Sequence, residues 1–158
     1  MFTQMLAQTY NAQVNSGLVR IVVQPVGAPT AAVSDNAAAA WAWSAYVQIV
    51  VAATITDPSW LCGVIIHTAV VEIHNGDLAI ASGAAAAEVD LAIFGYAGAL
   101  VGATAPMTSM PILSQTLWLP YPIRVTGAPR LAVRVRKSTA ASLAGVSLKV
   151  VLAEAVGT

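Results

Sequence analysis

Hydrophobic and polar positions alternate with a period of two through most of the chain, which is the spacing of strands with one buried face. The clearest case is "RLAVRVRKS" (130–138), which sets Leu131, Val133 and Val135 on one face and Arg130, Arg134 and Arg136 on the other. "VSLKVVLAEA" (146–155) repeats the pattern, with Val146, Leu148, Val150 and Leu152 inward and Ser147 and Lys149 outward. "WAWSAYVQIVVAA" (41–53) places Trp41, Trp43, Val47 and Ile49 on one face and Ser44, Tyr46 and Gln48 on the other. Further strands are predicted over 18–26, 60–74, 77–82, 88–94 and 112–119, the last closed by "PYP" and continued by "IRV". The segments between them are rich in Gly and Pro, as at "TDPS" (56–59), "ATAPMTSMP" (103–111) and "TGAP" (126–129).

Asn75-Gly76 lies between two strand-like runs and predicts a two-residue hairpin, because both central residues of that turn need positive φ. His74 would then face Asp77, and Glu72 would face Ala79. Residues 26–40 read as a loop that ends in a helical turn. No long helix is predicted. About eight strands in one domain give an all-β fold, a single β-sandwich of jelly-roll type, with an up-and-down barrel as the second choice. No repeat period supports a propeller or solenoid.

Residues 1–17 differ in texture, being polar, uncharged and rich in Gln and Asn. Phe2, Met5, Leu6 and Tyr10 sit at loose helical spacing, a stripe too weak for an isolated helix. The segment is read as an extended arm that docks on a neighbour through those four residues, followed by a sandwich domain over 18–158.

Composition sharpens this picture. The 158 residues are 58% hydrophobic and only 9% charged, against roughly 25% in an ordinary soluble domain. Net charge is zero, so no global field draws in nucleic acid or an anionic membrane. Little charge on a neutral chain predicts that much surface is covered in an assembly. The uncharged runs 36–56 and 91–113 are long enough to span a bilayer. They are interrupted by Asn36, Gln48, Pro106 and Pro111 and lack flanking Lys or Arg, which argues against spans.

Candidate chemistry is sparse. The one cysteine, Cys62, lies in an apolar run and is expected to be a buried inert thiol. His67 and His74 fall on opposite faces of a regular strand, and no second ligand pair completes a metal site. Glu88 and Asp90 project together from one strand, as an acidic partner for an arginine face or a polar outer face. No nucleophile elbow or phosphate loop occurs. Each tryptophan (Trp41, Trp43, Trp60, Trp118) is expected in the core, and a surface made of them is the feature a host-binding module would use. No enzyme activity, cofactor or metal is expected.

Charge is distributed unevenly. Between residues 21 and 123 there is no Lys or Arg but six of the seven acids, and 124–158 holds six of the seven bases. That asymmetry predicts one basic face and one acidic face that meet head to tail between copies, through Arg130, Arg134 and Arg136 against Glu88 and Asp90. Three arginines with no aromatic interleaved are a thin footprint for nucleic acid. Charge reversal at Arg134 and Arg136 is then expected to break assembly and leave folding intact.

Residues 60–158 resemble small structural proteins of tailed-phage virions. The resemblance rests on Gly83 and Glu88 in "GAAAAE", on Pro120, Pro122, Ile123, Arg124 and Val125 in "LPYPIRV", and on Gly127, Arg130, Ala132, Arg134, Ser138 and Ala140 beyond it. It implies a non-enzymatic β-sandwich in the phage particle, made in the host cytoplasm. The expected partners are other copies of itself, as a trimer, and the major capsid protein or another virion protein, with no nucleic acid and no membrane. A capsid decoration protein is the first expectation. A tail- or fibre-associated module that binds a host surface or connects tail proteins is the alternative.

Overall fold

The computed structural model describes residues 17–26, 33–34, 39–52, 54–70, 75–97, 114–126, 130–138 and 144–156. Nine strands are present among them: β1 (Val19–Gln24), β2 (Val33–Ser34), β3 (Val47–Val50), β4 (Ser59–Val70), β5 (Asn75–Ser82), β6 (Val89–Ala97), β7 (Ser114–Val125), β8 (Leu131–Lys137) and β9 (Ala144–Ala155). No helix occurs among the described residues, so none there is long and apolar enough to cross a membrane. Residues 1–16 of the predicted arm, including Phe2, Met5, Leu6 and Tyr10, lie outside the described residues.

The strands form two antiparallel sheets, ordered β1-β9-β4-β7 and β3-β8-β5-β6, with short β2 also on β9. Four of the pairs are nested along the chain: β5 with β6, β4 with β7, β3 with β8 and β1 with β9. The chain is thus a long two-stranded ribbon with β5 and β6 at its tip. Folding that ribbon over lays β9 on β4 and β8 on β5, which closes each four-strand order.

The predicted Asn75-Gly76 hairpin does not form. Both residues belong to β5, opposite Ala97 and Tyr96 of β6, and β4 and β5 lie in different sheets. Pairing within the second sheet outweighs the local turn preference. The expected partners His74 and Glu72 lie outside the described residues.

One apolar core joins the sheets into a β-sandwich-like fold. Leu61, Val64 and Ile66 of β4 and Val146, Leu148, Val150 and Leu152 of β9 meet Leu78 and Ile80 of β5 and Leu131, Val133 and Val135 of β8. The alternation read in the sequence of β8 and β9 puts the expected side chains there. Each such buried Leu, Ile or Val contributes about 1.5–3 kcal/mol of transfer free energy. One end of this face carries the buried Glu154, which accepts from Arg20 Nε (3.0 Å) and Nη2 (2.8 Å), with Thr56 N–H 3.3 Å away. A carboxylate out of water requires partners of this kind.

Two glycines set the local geometry. A Cβ on Gly63 would stand 2.4 Å from the Leu117 carbonyl oxygen, so only glycine lets β7 approach β4 there. Beside it the register jumps from Leu61–Ile123 to Gly63–Trp118, which leaves 119–122 as a bulge on an edge strand. Pro120 and Pro122 sit in that bulge, where a missing N–H costs no ladder bond. The proline pair therefore interrupts β7 without ending it. Gly83 has φ of 129° and opens the tight turn into β6, in which the Ala87 N–H donates to the Ala84 carbonyl at 3.0 Å.

Candidate functional site: a charged and aromatic layer on the second sheet

The outer face of the second sheet is built on small residues. Ala79 and Ala81 of β5 and Ala132 of β8 are fully buried despite pointing away from the core, and Gly95 of β6 lies beside them. Their lack of bulk lets longer side chains lie flat across the sheet. Three arginines do so. Arg130 pairs with Glu88 at 2.6 Å, Arg136 with Asp77 at 2.7 Å, and Arg134 with Asp90. All six side chains are less than a third exposed, so these contacts are better shielded than ordinary surface ion pairs. Arg130 Nε also donates to Gln48 Oε1 at 3.2 Å.

Aromatic rings complete the layer. Residues 41–46 continue β3 along β8: the Trp41 N–H donates to the Lys137 carbonyl at 2.7 Å and the Ser44 N–H to the Val135 carbonyl at 2.8 Å. The Ser44 hydroxyl accepts from the Val135 N–H at 3.0 Å. This track carries the Trp43 ring between two guanidinium groups, 4.6 Å from Arg134 and 4.5 Å from Arg136. Tyr46 covers Arg134 at 4.8 Å and Trp41 covers Arg136 at 5.5 Å. Such contacts are worth about 0.5–2 kcal/mol each as water is excluded. Trp41 takes φ of 60°, a conformation rare for a bulky residue, so the surrounding contacts must hold it.

Protonation follows from this packing. The hydrogen bond from Arg130 holds the Glu88 carboxyl below its usual range. Burial, then the Tyr46 hydroxyl's hydrogen bond to Asp90 (2.8 Å) and the charge of Asp90, push the Tyr46 phenol up. Both shifts move the groups away from neutral pH, so neither is placed to exchange protons there.

The structure brings together all five residues expected at an assembly surface, Arg130, Arg134, Arg136, Glu88 and Asp90, but within one chain. Acids on β5, on β6 and just before β6 pair with arginines on β8 and just before it, so separate basic and acidic faces do not form here. The charge map along the chain measured strand order, since bases on a late strand and acids on middle strands become neighbours when the ribbon folds. Reversal at Arg134 and Arg136 would set like charges against Asp90 and Asp77, so it is expected to weaken the fold itself. Asp77, expected opposite His74, pairs with Arg136. The arginines have no aromatic neighbours in sequence, and the fold supplies them from 41–46. The predicted alternation over 41–53 fails for the same reason: Trp43 and Tyr46 both cover Arg134, and β3 is only four residues long.

The outer face of the first sheet differs. Val19, Cys62, Val151 and Ala153 are buried there beneath Val23, Trp60 and Ile65, so Cys62 is a buried thiol as expected. None of the four tryptophans lies in the buried core, and Trp118 is 63% exposed. Among the described residues no three His, Cys, Asp or Glu side chains converge. No protein-family model matches the chain, and no curated protein or solved structure matches it either.

Proposed function

We propose that the chain is a non-enzymatic structural protein of a bacteriophage virion, a jelly-roll decoration protein that associates with its own copies and stabilises the head. The observation that carries this reading is the nested strand pairing. A ribbon paired β1–β9, β3–β8, β4–β7 and β5–β6 and folded into two four-strand sheets supports a jelly-roll reading, an architecture used by viral capsid domains. Three of the residues behind the resemblance to virion proteins, Gly83, Glu88 and Arg130, also meet in the fold. Gly83 forms the turn that sets Glu88 beside Arg130, and the Gly83 N–H lies 3.3 Å from the Arg130 carbonyl.

The arginine layer is internally neutral, so assembly rests on apolar surface. Tyr121 on the β7 bulge, Trp118 just before it, and Ile21 and Leu18 at β1 are exposed and uncharged. Aromatic residues of this kind anchor protein interfaces. The exposure of Trp41 and Trp118 favours one second reading, a tail-associated module that contacts a host surface.

Co-sedimentation with purified capsids tests the proposal. The protein is expected to pellet with capsids, and removal of residues 1–17 is expected to weaken that binding while the β domain stays folded. Binding to cell envelopes but not to capsids would overturn the head assignment and support the second reading.

A further inference from the structure

The four sheet edges are not equally protected against pairing with another chain. β7 carries Pro120, Pro122 and the bulge. β1 is six residues long, bears the exposed Arg20 and is followed by Pro25. β3 is four residues long, and its continuation is the irregular 41–46 track. β6 is different. It runs nine residues, Val89–Ala97, with no Pro, Lys or Arg, and among the described residues it pairs only with β5. Its single charge, Asp90, is already neutralised by Arg134. Val89 and Ile93 stand 67% and 55% exposed beside the free edge. Long, uncharged, proline-free edges of this kind are templates for another strand, and proteins that stay monomeric blunt them.

We infer that β6 is a homotypic interface: two copies pair their β6 strands antiparallel about a two-fold axis, which joins their second sheets into one continuous sheet. A second copy fits this edge better than a foreign strand because the edge is self-complementary. The only irregularity lies at Leu91, between the Ala81–Asp90 and Ile80–Ala92 pairs, so residues 92–97 keep a regular ladder. Setting Ile93 opposite Ile93 of the partner subunit keeps each side chain on its own face of the sheet. Ala92 then meets Phe94 of the partner subunit, small against large, and two exposed isoleucines cover each other. No like charges face each other in that register.

The inference deepens the proposed self-association and gives it two-fold symmetry, unlike the trimer that the resemblance implies. Sedimentation equilibrium on the full chain tests it. The wild type is expected to be a dimer, and V89K/I93K to dissociate at least about tenfold more readily, since edge lysines oppose pairing. Far-UV circular dichroism monitors folding and is expected to be unchanged, because both positions are exposed. Val26→Lys, exposed just past β1 of the opposite sheet, is expected to keep the dimer. Backbone amides of 92–97 are expected to exchange faster in V89K/I93K than in the wild type. A monomeric wild type, a trimer, or a dimer that V89K/I93K leaves intact would overturn the β6 interface. Capsid co-sedimentation stands apart from this result: a β6 dimer that ignores capsids would sink the virion reading and keep the interface.

Discussion

On the outward side of the first sheet, Val19, Cys62, Val151 and Ala153 are buried under apolar neighbours. On the outward side of the second, Ala79, Ala81 and Ala132 are buried under arginines, carboxylates and indole rings. Both faces exclude water. The first does so by simple hydrophobic contact, which is non-directional and tolerant of shape. The second uses groups that must each find a partner, because an unpaired charge at such a site costs far more than a lost apolar contact. A chain so poor in charge commits six of its fourteen charged residues to that one layer. Its charge is therefore spent largely on fixing β8 against β5 and β6.

The comparison can be broken most severely by R134E/R136E. That variant sets four carboxylates around Trp43, and a loss of about 4 kcal/mol in urea unfolding is expected. A fully folded, stable variant would return the arginines to the role of a free interface. Next in size is Gly63→Ala on the first sheet, expected to cost about 3 kcal/mol because the Leu117 carbonyl must move away. Its loss should not change with salt. Trp43→Ala removes the ring between Arg134 and Arg136 and should cost about 2 kcal/mol, part of it screened in high salt. A salt response equal to that of Gly63→Ala would erase the distinction between the two faces.

Smaller effects appear in the pH dependence. The folded state holds the Glu88 carboxyl low, so its stabilisation is full above the unfolded value of about 4.3 and fades as pH falls through the folded value. Glu88→Gln should flatten that acid limb of the stability curve. Tyr46 is shifted the other way. Its contribution is full below about pH 10 and is lost as pH rises beyond it, because the unfolded chain ionises first. Tyr46→Phe should remove that alkaline loss while leaving stability at neutral pH within about 1 kcal/mol.

The class of fold and the core of its best strands are legible in the residue pattern alone. Strict alternation on β8 and β9 selects one buried face without knowledge of the partner strand, since a period of two is a property of the strand alone. The residue pattern also marks Glu88 and Asp90 as acids suited to an arginine face. Which copy would supply that face, and what else would cover it, depended on strand order. Only the folded ribbon places β5 beside β8, brings Asp90 of β6 within reach of Arg134 and carries 41–46 along β8. The Asn75-Gly76 signal failed for the same reason: local turn preference is worth little against the pairing of eight residues on two sides. Alternation says which side of a strand is wet or dry. Tertiary structure alone decides that Ala79, Ala81 and Ala132 on the outward side of this sheet are dry, because the groups covering them make contacts that span 42 to 95 positions of the chain.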